Sequence, residues 1–219
     1  MFGRIAPRYD LLNRLMTGGQ DRRWRREAIR RLDLEEGGCI IDLGSGTGDI
    51  ALEIARSSQR GLVIASDFTP EMIAIGRKRS LGTRVQWLQA NAQRLPFASN
   101  SLDGVISGFL LRNVPDVGQA LGEQNRILTN KGRVVSLETS PPGDNWFKPL
   151  IRLHLNLIVP FLGWLIAGDA EAYTYLPEST ARFLTAEQLA GSFRSTGFEE
   201  VGFTRRMLGT VGIHWGVKP

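Results

Sequence analysis

Cys39-Ile40-Ile41-Asp42-Leu43-Gly44-Ser45-Gly46-Thr47-Gly48-Asp49 is an apolar run closed by an acid and followed by three glycines at alternate positions. The run reads as a buried strand. The loop after it must bring its backbone unusually close to a ligand, because glycine tolerates positive φ and carries no Cβ. A helix begins near Asp49 and continues through Ala51, Leu52, Ile54 and Ala55, so its N-terminus faces the same ligand. One glycine would make a turn; three between a strand and a helix are what a nucleotide-type site requires.

Outward from this stretch, strands and helices alternate. Leu62 to Ser66 reads as a strand ending at Asp67, followed by a helix with Thr69 as its cap and Pro70 in its first turn. Strands follow at Val85 to Leu88 and Gly104 to Ser107, with a loop between them around Asn91 to Ser101. A helix around Val117 to Leu128 stops before Asn130-Lys131-Gly132, and a strand runs from Arg133 to Glu138. This is the βαβ alternation of an open, mostly parallel α/β sheet with helices on both faces. A helix near Ala186 to Ser195 then precedes strands at Glu199 to Phe203 and Gly209 to Trp215. Too few residues separate these two for a parallel crossover, so they must pair antiparallel.

With 219 residues, 42% of them hydrophobic, the chain can bury the core of one domain. The single cysteine, Cys39, sits inside the first strand, which excludes an internal disulfide and suits a reducing cytosol. No secretory signal pattern follows Met1. The net charge of +5 is concentrated: Arg22 to Arg31 holds six arginines against one glutamate. Such a run suits nucleic acid, anionic lipid or a solvated helix face. Trp24 within it, and the apolar segment Pro149 to Gly168, shift the reading toward a membrane surface. Arg152, His154, Asn156 and Pro160 interrupt that segment, and Leu150, Leu153, Leu157 and Phe161 recur at helical spacing. It therefore reads as a helix lying on the domain or at an interface rather than a membrane span.

The cofactor class follows from acids and glycines together. Asp67, 19 residues beyond Gly48, ends the second strand where a carboxylate can accept from ribose hydroxyls. A dinucleotide fingerprint needs glycine where this chain has Asp49, and Asp42 and Asp49 would repel a diphosphate. The same acids suit the ammonium and sulfonium of S-adenosylmethionine.

The chain resembles the ubiquinone/menaquinone biosynthesis C-methyltransferases, a branch of the class I S-adenosylmethionine-dependent enzymes. The resemblance runs from Phe2 to Asn13, through Asp42 to Asp49 and Asp67, to Ala90-Asn91-Ala92 with Leu95-Pro96-Phe97. It continues in Leu111-Arg112-Asn113-Val114, Tyr173 to Ser179, and His214, Gly216 and Lys218. It implies a single Rossmann-like methyltransferase domain over 1–219, with a seven-stranded sheet whose last strand is antiparallel. An N-terminal helical lid (1–36) and an apolar helical insert (144–170) complete it. The implied cofactor residues are Asp42, Gly44, Gly46, Thr47, Gly48, Asp67, Phe68, Asn91, Ala92 and Gly108, with Asn91-Ala92 near the adenine. Where the family has Ser-Phe-Gly before Leu-Arg-Asn, this chain has Gly108-Phe109-Leu110, which alters the pocket wall.

The reaction implied is methylation of a ring carbon of a reduced polyprenyl quinol, demethylmenaquinol or its benzoquinol counterpart. A phenolic hydroxyl with a pKa near 10 needs a base, or a cation beside its oxyanion, to activate the ring at neutral pH. Arg112 is expected to stabilise the oxyanion and His214 or a tyrosine-held water to accept the proton, with Tyr9, Asn113 and Tyr175 positioning the acceptor. Tyr9 fits a lid equally well. No metal site and no nucleic-acid partner are expected. The location implied is cytoplasmic, peripheral on the inner membrane face, with homo-oligomerisation left open. A different small acceptor, an RNA-directed enzyme and a noncatalytic binder of S-adenosylmethionine are the competing readings.

Overall fold

The computed structural model describes residue 14 and residues 17–33, 37–57, 61–141 and 179–219. Tyr9, Tyr175, most of the expected lid's first half and the 144–170 insert lie outside them. Helix α1 spans Asp21–Leu32, strand β1 Cys39–Leu43, α2 Asp49–Ser57, β2 Leu62–Asp67, α3 Pro70–Lys78, β3 Gln86–Gln89 and β4 Leu102–Gly108. Then come α4 Val117–Ile127, β5 Leu128–Thr139, α5 Ala186–Ser195, β6 Glu199–Arg206 and β7 Val211–Val217.

The seven strands form one sheet in the order β3-β2-β1-β4-β5-β7-β6. Neighbours from β3 to β5 pair parallel, while β7 runs antiparallel to both β5 and β6. The expected antiparallel last strand is thus present. Because β1 leads to β2 on one side and lies beside β4 on the other, strand order reverses at the β1–β4 boundary, where open α/β sheets bind ligands.

Consecutive strand residues enter opposite layers, as a pleat buried on both faces demands. Ile40, Ile106 and Val135 pack with Trp24 and Ala28 of α1 and with Leu52 and Ala55 of α2. Ile41, Val105 and Val134 pack with Leu121 of α4 and with Leu189 and Phe193 of α5. The Asn130-Lys131-Gly132 turn does not break β5 away from β4. It is absorbed as an irregularity, five steps on β5 (Leu128 to Arg133) against two on β4 (Leu102 to Gly104).

Two local expectations change. Thr69 occupies the N-cap of α3 without a side-chain cap bond; the Asp67 carboxylate instead accepts from the Thr69 N–H at 2.8 Å. Trp24 is only 1% exposed, so the aromatic of the basic run belongs to the core and offers nothing to a membrane. Arg22, Arg23, Arg26, Arg30 and Arg31 occupy the exposed face of α1. Among the described residues no helix is long and apolar enough to cross a membrane.

Candidate active site

A cavity of about 420 Å³ opens at the C-terminal ends of β1, β2 and β4, lined from the glycine loop, Asp67 to Thr69, Ala90 to Gln93 and the segment after β4. The loop residues Gly44, Gly46 and Gly48 have φ of +63°, +57° and +88°. A Cβ on Gly46 would meet nothing within 4 Å, and the residue lines the cavity. Its backbone is therefore bare toward the ligand space, and its φ already favours glycine. Gly48 differs from the expectation: it is absent from the cavity lining, and a Cβ there would strike the Trp87 ring at 2.5 Å. Its lack of a Cβ permits close packing of Trp87 against the loop.

Asp67 is fixed by its backbone neighbours. One carboxyl oxygen accepts from Gly46 N–H and the other from Thr69 N–H, both at 2.8 Å. Each oxygen retains a lone pair for a ribose hydroxyl. Phe68 beside it is 72% exposed at the cavity mouth, a flat apolar surface for a base. Asn91 and Ala92 line the same side, with Asn91 Oδ1 accepting from Gln93 N–H at 2.9 Å.

The loop's other side carries the charge. Asp42 is 1% exposed; one oxygen accepts from Ala51 N–H at 3.0 Å, and Oδ1 has no partner among the described residues. Burial pushes its pKa up to about 8. Asp49 goes the other way: burial alone would raise it, but Arg25 and Arg79 outweigh burial and hold it below the usual carboxylate range. Arg79 lies 2.7 Å from the Asp49 carboxylate and Arg25 lies 3.3 Å from it. Arg79 also donates to the Thr47 hydroxyl at 3.0 Å. An unpartnered buried acid and a backbone-bare glycine fit a cationic donor cofactor, and the neighbouring acids do not fit a diphosphate.

The acceptor side departs most from expectation. Asn113 lines the cavity, its amide donating to Phe109 O at 2.9 Å. Arg112 is absent from the lining. Its guanidinium donates to Glu138 at 2.6 Å, with side-chain exposures of 6% and 0%. Arg112 is thus held by Glu138 and does not line this cavity, unlike the oxyanion contact expected of it. His214 is also corrected. Its ring is buried in β7 against Phe203 and Phe193, with Nε2 3.0 Å from Ala186 O. Burial lowers its pKa to about 4, and it is absent from the lining of this cavity, so the structure does not bring it to the position expected of the base.

Phe109 is the residue the sequence reading missed on this side. It lines the cavity with φ of +59°, a strained conformation for a bulky residue. Leu137 O holds its N–H at 2.7 Å, and the Arg112 guanidinium sits 5.3 Å from its ring centroid. Leu110 lies over Gly44, and at Gly108 a Cβ would meet Ile50 Cδ1 at 2.8 Å; the family's serine would require Ile50 to turn aside. Arg25 was missed too, although its signal was present: Asp21, Trp24, Arg25, Ala28 and Leu32 share the buried face of α1, a stripe at helical spacing.

A Rossmann-like sheet, a strand–glycine loop–helix unit at its switch point and an acid at the end of the second strand define an S-adenosylmethionine-dependent methyltransferase. Solved structures agree on the fold. The [4+2]-cyclase SpnF superposes with a TM-score of 0.72 at 19% identity, covering 100% of this chain and 94% of that one. A possible histamine N-methyltransferase from Thermotoga maritima gives 0.67 at 20% identity, covering 100% and 98%. The profile of the ubiE/COQ5 methyltransferase family matches residues 1–218, and the chain belongs to that family. It is 45% identical to the ubiquinone/menaquinone biosynthesis C-methyltransferase UbiE of Desulfotalea psychrophila, covering 100% of this chain and 89% of that protein. It is 42% identical to the demethylmenaquinone methyltransferase of Thermus thermophilus over 100% of both.

Proposed function

We propose that this chain methylates a ring carbon of a polyprenyl naphthoquinol, demethylmenaquinol, in respiratory quinone synthesis. The observation that carries this reading is the full-length match to relatives named for ubiquinone/menaquinone biosynthesis C-methylation and for methylation of demethylmenaquinone. When bound, S-adenosylmethionine supplies an electrophilic methyl group on a sulfonium. Asp67, with both oxygens already oriented by backbone N–H groups, takes the ribose hydroxyls; Asn91, Ala92 and Phe68 take the adenine; Gly44, Gly46 and Thr47 let the loop backbone approach.

On the acceptor side, Phe109, Leu110 and Val114 form an apolar wall that excludes water from the reacting ring. Asn113 supplies the polar atoms on that wall that orient a hydroxyl. We propose the same positioning role for Tyr9 and Tyr175. The exposed arginines of α1 are proposed to meet anionic lipid, since a polyprenyl tail must be drawn from a membrane.

Incubating the protein with isotopically labelled S-adenosylmethionine and paired short-tail naphthoquinol and benzoquinol acceptors tests the assignment. Label should enter the naphthoquinol ring at least tenfold faster. Equal or faster labelling of the benzoquinol overturns it.

A further inference from the structure

Arg25 is an arginine of the N-terminal helix α1 that reaches the donor cavity, yet it is 92% hidden from solvent. It pairs with Asp21 one helical turn earlier and approaches Asp49 at 3.3 Å. The second contact is the looser of two, because Asp49 also holds Arg79 at 2.7 Å. Asp49 would therefore stay paired if Arg25 turned to another anion, and Arg25 would keep Asp21. On the same lining, Asp42 presents an oxygen with no partner among the described residues. One cation flanked by two acids, all facing one cavity, is the complement of a group carrying both a carboxylate and an ammonium. A guanidinium grips a carboxylate through two parallel N–H donors. An adenosine moiety offers neither charge, but the amino-acid end of the donor offers both.

We infer that Arg25 binds the carboxylate of the donor's amino-acid group, while Asp42 and Asp49 take its ammonium. The N-terminal helix is thereby part of the donor site and not only a cover for the sheet. The inference rests on the donor being S-adenosylmethionine and not on the identity of the acceptor, so an acceptor other than a quinol leaves it intact.

Calorimetric titration without acceptor separates the contact from general damage. The probes are S-adenosylhomocysteine, its decarboxylated analogue and 5′-methylthioadenosine, which lacks the amino-acid group altogether. The wild-type protein should bind S-adenosylhomocysteine at least tenfold tighter than the decarboxylated analogue; equal affinities overturn the inference without any variant. Arg25→Gln should weaken S-adenosylhomocysteine at least tenfold and change the other two less than twofold. Equal weakening of all three probes, or of none, overturns it. Arg25→Lys, which keeps the charge and most of the stem, answers the case in which the glutamine variant does not fold. It should lose about three- to tenfold for S-adenosylhomocysteine alone, and an unchanged affinity counts against the two-pronged grip.

Discussion

Asp42 holds one carboxyl oxygen against the Ala51 amide and leaves the other bare. Burial raises its folded pKa to about 8 from an ordinary 3.8, so near pH 7 it is mostly protonated before a cation binds beside it. The folded state then binds the proton more tightly than the unfolded chain, and Asp42 destabilises the fold progressively as pH rises from about 4 to about 8. A cationic ligand beside it reverses the preference. Titrating S-adenosylmethionine near pH 7 in buffers of different ionisation enthalpy should therefore report net release approaching one proton, and Asp42→Asn should abolish the release. Identical release by both proteins would remove Asp42 from the ammonium site. The Asp-then-glycine pattern was legible in the sequence because strand end, turn and acid are all local. The proton on Asp42 was not, since it depends on how thoroughly helix α2 and the loop bury the carboxyl.

At the scale of elements, the wall after β4 is fastened to the end of β5. Glu138, buried at that end, receives the Arg112 guanidinium and the Arg112 and Thr139 N–H groups. Together with the Asn113 bond to Phe109 O, this fixes the turn at Leu111–Asn113 and the strained Phe109 before it. Glu138→Gln leaves a buried guanidinium without its counter-charge and should cost roughly 3–5 kcal/mol in urea unfolding. Glu123→Gln, which breaks the half-exposed Arg126 pair, should cost no more than about 1 kcal/mol. Equal costs would mean that the Arg112 pair is solvated. Sequence alone marked Leu-Arg-Asn as distinctive but could not show that Arg112 faces away from the cavity, because its partner is 26 residues distant. The same holds for the terminal His-x-Gly-x-Lys segment. His214 is core, Gly216 makes room for Phe198, and Lys218 clamps Leu128 O and Asn100 at 2.8 and 2.6 Å.

At the scale of the whole molecule, the charge and the apolar side of α1 point in opposite directions. α1 turns Trp24 inward and presents arginines outward, with Arg26 paired to Glu53 and Arg31 laid over the Trp215 ring. Arg22, Arg23 and Arg30 are exposed on the same helix. If this face meets a membrane, it does so by charge: vesicles with anionic lipid should sediment the protein, and salt should release it. Replacing Arg22, Arg23 and Arg30 by Gln should lower partitioning roughly a hundredfold, at about 1 kcal/mol for each arginine near the surface. Undiminished partitioning of that triple variant would assign lipid contact elsewhere. The alternation of strands and helices was readable from periodicity along the chain, whereas the side of each helix that carries function required the helix to be docked.

The position of β7 between β5 and β6 has a further consequence. Val211–Val217 follows every other described strand along the chain, yet it is an interior one. Until it is synthesised, β5 stands as a bare edge and β6 has no neighbour to join, while β1 to β4, which carry the glycine loop and Asp67, already possess their partners. A nascent chain can therefore build the donor half early, but its exposed β5 edge must be shielded from other chains until β7 has emerged.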